Sequence, residues 1–250
     1  MLKEILKSFY HKHYRFKRFR VLGRTACLGN EIIKQMGWNK NYINHQKSRV
    51  DYLIELHKDK NISPNPKEII KYLKHKFIIG TIKQQKNNFF DYQNPDIIVM
   101  DSFSELTDQL FVNINTNQKF LANYSDINHS LLPNYYKCNG LIEDNLLKTY
   151  DDFFSMVSLK YSNIPLYFIH FSTVLDNRDK FKNRGEMILK IIDQLSIKYS
   201  FINIIKVNGA LVSHANTDNE EFNSLPYHYS ANTYKEYVLK FQKIYQNAES

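Results

Sequence analysis

The chain has 250 residues, of which 43% are hydrophobic, 14% aromatic and 24% charged. Such a length and composition can bury a sizeable core and exclude wholesale disorder. With 7 glycines and 6 prolines, collagen-like repeats and Gly/Pro-rich linkers are excluded as well. Two cysteines, Cys27 and Cys138, make neither a disulfide framework nor a CxxC zinc pattern.

No run of about 18 apolar residues offers a membrane span. The first residues lack the apolar centre and small-residue cleavage site of a signal peptide, so a cytoplasmic protein is expected. The formal charge of +9 suits a nucleic-acid partner. No RRM, KH, zinc or helix-turn-helix signature accompanies it, and nucleic acid is not the expected partner. Much of the excess is local: residues 1–20 carry seven cations against Glu4 alone, a balance of +6. Leu2, Ile5, Leu6, Phe9 and Tyr10 fall near helical spacing there. Residues 1–18 therefore read as a basic amphipathic helix, and 1–20 as a stretch able to touch anionic membrane peripherally. A solvated helix capping the sheet is the alternative.

Phe19 to Gly23 is a short apolar run ending in glycine and predicts a first buried strand. Cys27 to Trp38 has helical periodicity, and 49–58 and 66–76 predict two further helices, with Pro66 suited to a first turn. Phe77 to Ile82 is a candidate strand, and Pro95 to Met100 a stronger one. Residues 112–140, rich in Asn, Tyr and Ser, read as loop with at most a short strand. Leu141 to Leu159 predicts a helix, Ile164 to Phe171 a strand, Arg178 to Tyr199 a long amphipathic helix, Phe201 to Val207 a strand, and Ser230 to Tyr245 a terminal helix. Strands apolar on both faces alternating with helices imply one α/β domain over 19–250. Its expected architecture is three-layer, a mostly parallel sheet flanked by helices. In such sheets ligands bind at the carboxyl ends of the strands.

That rule singles out the loops after the strands. Gly23, Arg24, Thr25, Ala26, Cys27, Leu28, Gly29 and Asn30 form a strand-to-helix turn whose N–H groups suit an oxyanion. The spacing is neither GxGxxG nor GxxxxGK[ST], and an ordinary tight turn is the alternative. His228 stands just before the terminal helix, with Ser230 a plausible N-cap, and suits general-base work near neutral pH. Ser102, Ser104 and Glu105 follow a strong strand as candidate donors and binders, or as helix caps. Asp176 and Arg178, with Arg184, suit either a structural ion-pair network or an anionic substrate. The nine histidines show no metal-ligating spacing, so no metal and no cofactor is expected.

Gly23-Arg24-Thr25 with Gly29 after a first strand, and His228 before the last helix, resemble the first and last blocks of the SGNH (GDSL-like) hydrolase superfamily. Three further stretches resemble a branch of SGNH-like proteins encoded in bacterial surface-polysaccharide loci. They are Pro95 to Glu105, His170 to Arg178 with Phe181 and Arg184, and Pro226 to Tyr229. The resemblance spans about residues 19–245. It implies an SGNH- or flavodoxin-like sheet and an esterase or O-acyltransferase acting on a carbohydrate or capsular-polysaccharide precursor. Thr25 then stands at the nucleophile position, Cys27 is a rival, and His228 is the base. Gly23, Arg24, Asn30, Ser102, Ser104, Glu105, Asp176 and Arg178 would bind substrate. Thr25 replaces the family's Ser, and Leu225 stands where the acidic partner of the His would be, a role that Asp218, Glu220 or Glu221 of the preceding loop could take. Those departures also fit a catalytically degenerate carbohydrate- or partner-binding protein, or another polysaccharide-biosynthesis transferase.

Overall fold

The computed structural model describes residues 19–140, 145–218 and 220–249. The basic helix expected over 1–18 lies outside the described residues, as does the start of the helix expected from Leu141.

Five short strands carry the framework: β1 (Val21–Arg24), β2 (Tyr42–Asn44), β3 (Ile97–Asp101), β7 (Leu166–Ile169) and β8 (Ile202–Ile205). All pair in parallel, in the spatial order β2-β1-β3-β7-β8. Counting only these five along the chain, the order is 2-1-3-4-5, that of flavodoxin-like doubly wound sheets. Every residue of β1, β3 and β7 is buried, which explains their unbroken apolar runs: a strand covered on both faces has no polar face to show.

The covering helices are α1 (Cys27–Gln35) and α9 (Ala231–Glu249) on one face, and α2 (Val50–Lys58), α6 (Leu146–Lys160) and α7 (Asp179–Lys198) on the other. Side-chain alternation along β7 shows the two faces directly. Tyr167 lies against Phe241 and Tyr245 of α9, at ring-centroid distances of 4.9 and 5.9 Å. Its neighbour Phe168 meets Tyr150 of α6 at 6.1 Å. The structure is thus three-layer α/β, with a parallel sheet between helices.

Two expectations fail. The strand expected over Phe77 to Ile82 is a 3-10 turn running into helix α4 (Ile79–Gln84). Ile78 and Ile82, four apart, are buried while Phe77 is exposed, and a spacing of four is helical. Within the stretch expected as loop over 112–140, three segments belong to a three-stranded antiparallel sheet of β4 (Asp108–Asn113), β5 (Lys119–Asn123) and β6 (Tyr136–Cys138), while 124–135 carries only a 3-10 turn and irregular chain. Asn-rich residues 114–118 are only the hairpin turn, with Asn117 in the left-handed region at φ 57°. Beside it Phe111 stacks on Phe120 at 5.0 Å. This small sheet has its own apolar packing, joined by Ile69, Tyr72, Ile82 and Ile127. Helix α3 (Pro66–Ile70) does place Pro66 in its first turn, capped by the Asn65 side chain, but it ends at Ile70, short of 76. Two short helices complete the chain, α5 (Phe103–Thr107) and α8 (Glu220–Asn223). Among the described residues, no helix is long and apolar enough to cross a membrane.

Candidate functional site

In a 2-1-3-4-5 sheet the chain leaves β1 and β3 in opposite directions, which opens a crevice between their carboxyl ends. Residues 25–30 and 102–105 border it. The glycines of the first loop are there for close packing. A Cβ on Gly23 would run into the Tyr42 ring, and one on Gly29 into the Thr25 side chain.

The space they leave is filled by a closed polar network. The Thr25 hydroxyl donates to Asn30 Oδ1 at 3.0 Å and shares a short hydrogen bond with the Tyr42 hydroxyl. Tyr42 also donates to Asn30 Oδ1 at 2.9 Å. Asn44 clasps the Thr25 peptide from both sides, accepting from its N–H and donating to its C=O at 2.9 Å each. Thr25 is buried, 2% exposed. Gly23, Thr25 and Asn30 thus pack against β2, an element that the apolar pattern gave no sign of.

Arg24 and Glu105 are spent on each other. Arg24 Nη1 lies 2.8 Å from both Glu105 carboxylate oxygens, and neither residue is more than 1% exposed. Nη2 of Arg24 donates to the Asp101 carbonyl at 2.6 Å, and Nη1 to that of Ser48 at 3.1 Å. Glu105 also accepts from the Val50 N–H and the Tyr150 hydroxyl, at 2.9 and 3.0 Å. Arg184 donates to the Glu105 carbonyl at 2.6 Å. Ser102 Oγ accepts from the Phe171 N–H at 2.9 Å, tying the ends of β3 and β7 together. Ser104 is buried and bonds to Asp108.

Asp176 is buried and accepts both arms of Arg178, at 2.8 and 2.7 Å, while Arg178 stacks on Phe181. The Tyr227 hydroxyl donates to the same carboxylate at 2.6 Å. Asp176 and Arg178 therefore anchor the segment leading into His228. The Tyr227 ring sits against Phe103 at 5.7 Å and Phe171 at 6.3 Å.

Cys27 is the first residue of α1 and only partly buried. Its Sγ lies 4.0 Å from the Tyr227 carbonyl and also bonds to the Tyr234 side chain. The thiol thus faces the segment that carries His228. Burial, reinforced by the Asp101 charge, pushes the thiol up to about 11, against pulls from Tyr234 and from the N–H groups of Leu28 and Cys27. Half-buried His228 has its pKa lowered by desolvation.

Asp101 ends β3, within the stretch Pro95 to Glu105 that carries the resemblance. Its Oδ2 accepts from the Ala26 N–H at 2.6 Å and Oδ1 from the Phe103 N–H at 3.1 Å. It thereby caps α1 from another strand and uses one of the N–H groups that an oxyanion would need. Burial raises its carboxyl to about 7, against the pull of Arg24.

Buried His45 is held at about 4 by desolvation, opposed by a bond with the Asn87 backbone. A depressed His favours the fold above its unfolded value near 6.5 and loses that contribution as pH falls toward 4. Asp101, being raised, works in the opposite sense, losing stability as pH climbs through 7. His45→Gln is therefore expected to flatten the acid limb of unfolding free energy between pH 4.5 and 6. The change is one proton's worth, about 1.4 kcal/mol per pH unit. Parallel limbs in urea titrations of the two proteins would show that His45 titrates normally.

Comparison with models of known families, with curated proteins and with solved structures gave no match.

Proposed function

We propose that this chain is an SGNH-like esterase or O-acyltransferase acting on a carbohydrate ester, with Cys27 as nucleophile and His228 as base. The observation that carries the reading is the placement of Cys27: it opens α1 at the switch point, with its thiol toward the segment bearing His228. His228 takes the thiol proton and Sγ attacks the acyl carbonyl. The C–O bond to the alcohol breaks, and the alcohol leaves with the proton returned by His228. Water or a sugar hydroxyl then attacks the thioester, loses its proton to His228, and frees the thiol. Between turnovers the thiol stays protonated, since its pKa is about 11. Asp176 acts as a positioning residue, holding Tyr227 and through it the entry to His228.

The carbohydrate acceptor rests on the resemblance to SGNH-like proteins of polysaccharide loci. On the same reading the protein works in the cytoplasm, with residues 1–20 against anionic membrane. The alternative is a degenerate carbohydrate- or partner-binding protein; the sealed Thr25 hydroxyl and the protonated thiol favour it. Release of acyl groups from p-nitrophenyl acetate, and transfer to an added sugar, separate the two. Turnover lost in Cys27→Ala and His228→Ala supports the enzyme. An inactive wild type that still binds a glycan through this crevice supports the binding protein.

A further inference from the structure

Residues 66–86, which hold α3 and α4, form a basic cap on the small antiparallel sheet. The inward side of the cap is apolar: Ile69, Tyr72 and Ile82 are buried with Phe111, Phe120 and Tyr136. Its outward side is cationic. Lys67, Lys71, Lys74, Lys76, Lys83 and Lys86 are all exposed, against Glu68 alone, a balance of +5. Among the described residues none of these six lysines makes an ion pair. The charge is therefore left to the surroundings of the protein.

The cap is stitched to the chain between β5 and β6. The Lys74 N–H donates to the Asp126 carbonyl, and the Asn128 N–H to that of Tyr72, at 2.8 Å each. Asp126 is the one acidic residue of 124–135, and it is buried and paired with Lys47 at 3.0 Å. No carboxylate of that stretch offsets the lysines. It shows large apolar groups instead, with Tyr124, Leu131 and Tyr135 exposed. On the cap itself Phe77 follows Lys74, His75 and Lys76 and is 79% exposed, its ring stacked with His75 at 5.4 Å. Single exposed apolar side chains are ordinary; several of them beside unpaired cations mark a contact surface.

Two features choose the partner. All six cations are Lys, a point charge suited to a diffuse anionic surface, whereas base recognition draws on the fork of Arg. Phe77 and Leu131 offer no hydrogen bond to a base edge or a sugar, while Tyr124 and Tyr135 are of the kind that sits at headgroup level.

We propose that this face docks on an anionic lipid bilayer, with its lysines among the headgroups and Phe77 at the acyl boundary. The proposal depends neither on Cys27 nor on membrane contact by residues 1–20. Phe77→Trp in the full chain tests it. The one native tryptophan, Trp38, is 5% exposed, so wild type serves as the blank. On phosphatidylcholine vesicles containing phosphatidylglycerol, the emission of Phe77→Trp is expected to shift blue and to be quenched by brominated acyl chains. Binding through residues 1–20 alone would leave it unmoved. The triple variant Lys74→Glu/Lys76→Glu/Phe77→Ser changes exposed side chains only and should keep the melting temperature. Its partition onto these vesicles should fall at least about tenfold, from about fivefold per lysine near a charged surface. Vesicles of phosphatidylcholine alone should bind wild type more weakly by a similar factor. The proposal is overturned if the Phe77→Trp emission does not respond to anionic vesicles, if the triple variant partitions like wild type, or if neutral vesicles bind as well. A single-stranded oligonucleotide that shifts this emission where vesicles do not would overturn it too, and make the face a nucleic-acid site.

Discussion

Glu105→Ala is expected to cost about 3–5 kcal/mol of unfolding free energy, the typical cost of breaking a buried ion pair from one side. Arg24 and Glu105 are at most 1% exposed, so the stranded guanidinium cannot turn to water. The carboxylate accepts four hydrogen bonds from three groups: Arg24 Nη1 on both oxygens, the Val50 N–H and the Tyr150 hydroxyl. Its loss also leaves a helix-start N–H and a phenol unsatisfied. Arg24→Met should cost a comparable amount by leaving the carboxylate charged and buried. In the double variant Arg24→Met/Glu105→Ala no lone charge remains, and its cost should fall well below the sum of the two singles. Urea unfolding measures all three. A Glu105→Ala cost under about 1 kcal/mol would show that the pair is not what holds β1, α2 and α5 together.

This pair shows where the sequence stops speaking. Arg24 and Glu105 are 81 positions apart, and each on its own is a charged residue in a loop at the functional edge of a sheet. From the chain alone, both read as groups waiting for a substrate. Only the fold reveals that they neutralise each other.

The large-scale architecture was easier. β3, β7 and β8 announce themselves as apolar runs because both faces of a parallel sheet are covered, and the run length fits a strand. Tyr42 to Asn44 gives no such run: it is an edge strand of three residues, none of them buried, and β-pairing there is set by β1. The antiparallel hairpin hid for another reason. Its turn is rich in Asn, and the Phe111–Phe120 pair that holds it is a cross-strand contact with no local signature.

The Gly-x-Thr-x-x-x-Gly pattern was visible, but its physical meaning was not. The spacing resembles one that exposes a hydroxyl nucleophile. Here Gly23 and Gly29 admit the Tyr42 ring and the Thr25 side chain, and so bury the hydroxyl. Cys27 occupies the first helical position, and its side chain faces the neighbouring C-terminal segment.

Cys27→Ala is therefore expected to lower kcat/KM for acyl release by a hundredfold or more, because the covalent acyl group has nowhere else to form. His228→Ala should cost a similar factor through loss of the general base. Thr25→Val should behave differently. It keeps the side-chain shape and removes the hydroxyl that Tyr42 and Asn30 share, so its loss should appear in stability, at about 1–3 kcal/mol. Its kcat/KM should stay within tenfold of wild type. The thiol itself gives an independent reading: with a pKa about 11, the rate of iodoacetamide labelling should rise tenfold per pH unit from pH 7 to about 10. A plateau near pH 8 would mean that the thiol is an ordinary exposed one. If Thr25→Val abolishes turnover while Cys27→Ala retains it, the nucleophile is the threonine after all. If turnover survives in Cys27→Ala, Thr25→Val and His228→Ala alike, acyl transfer through this crevice is excluded.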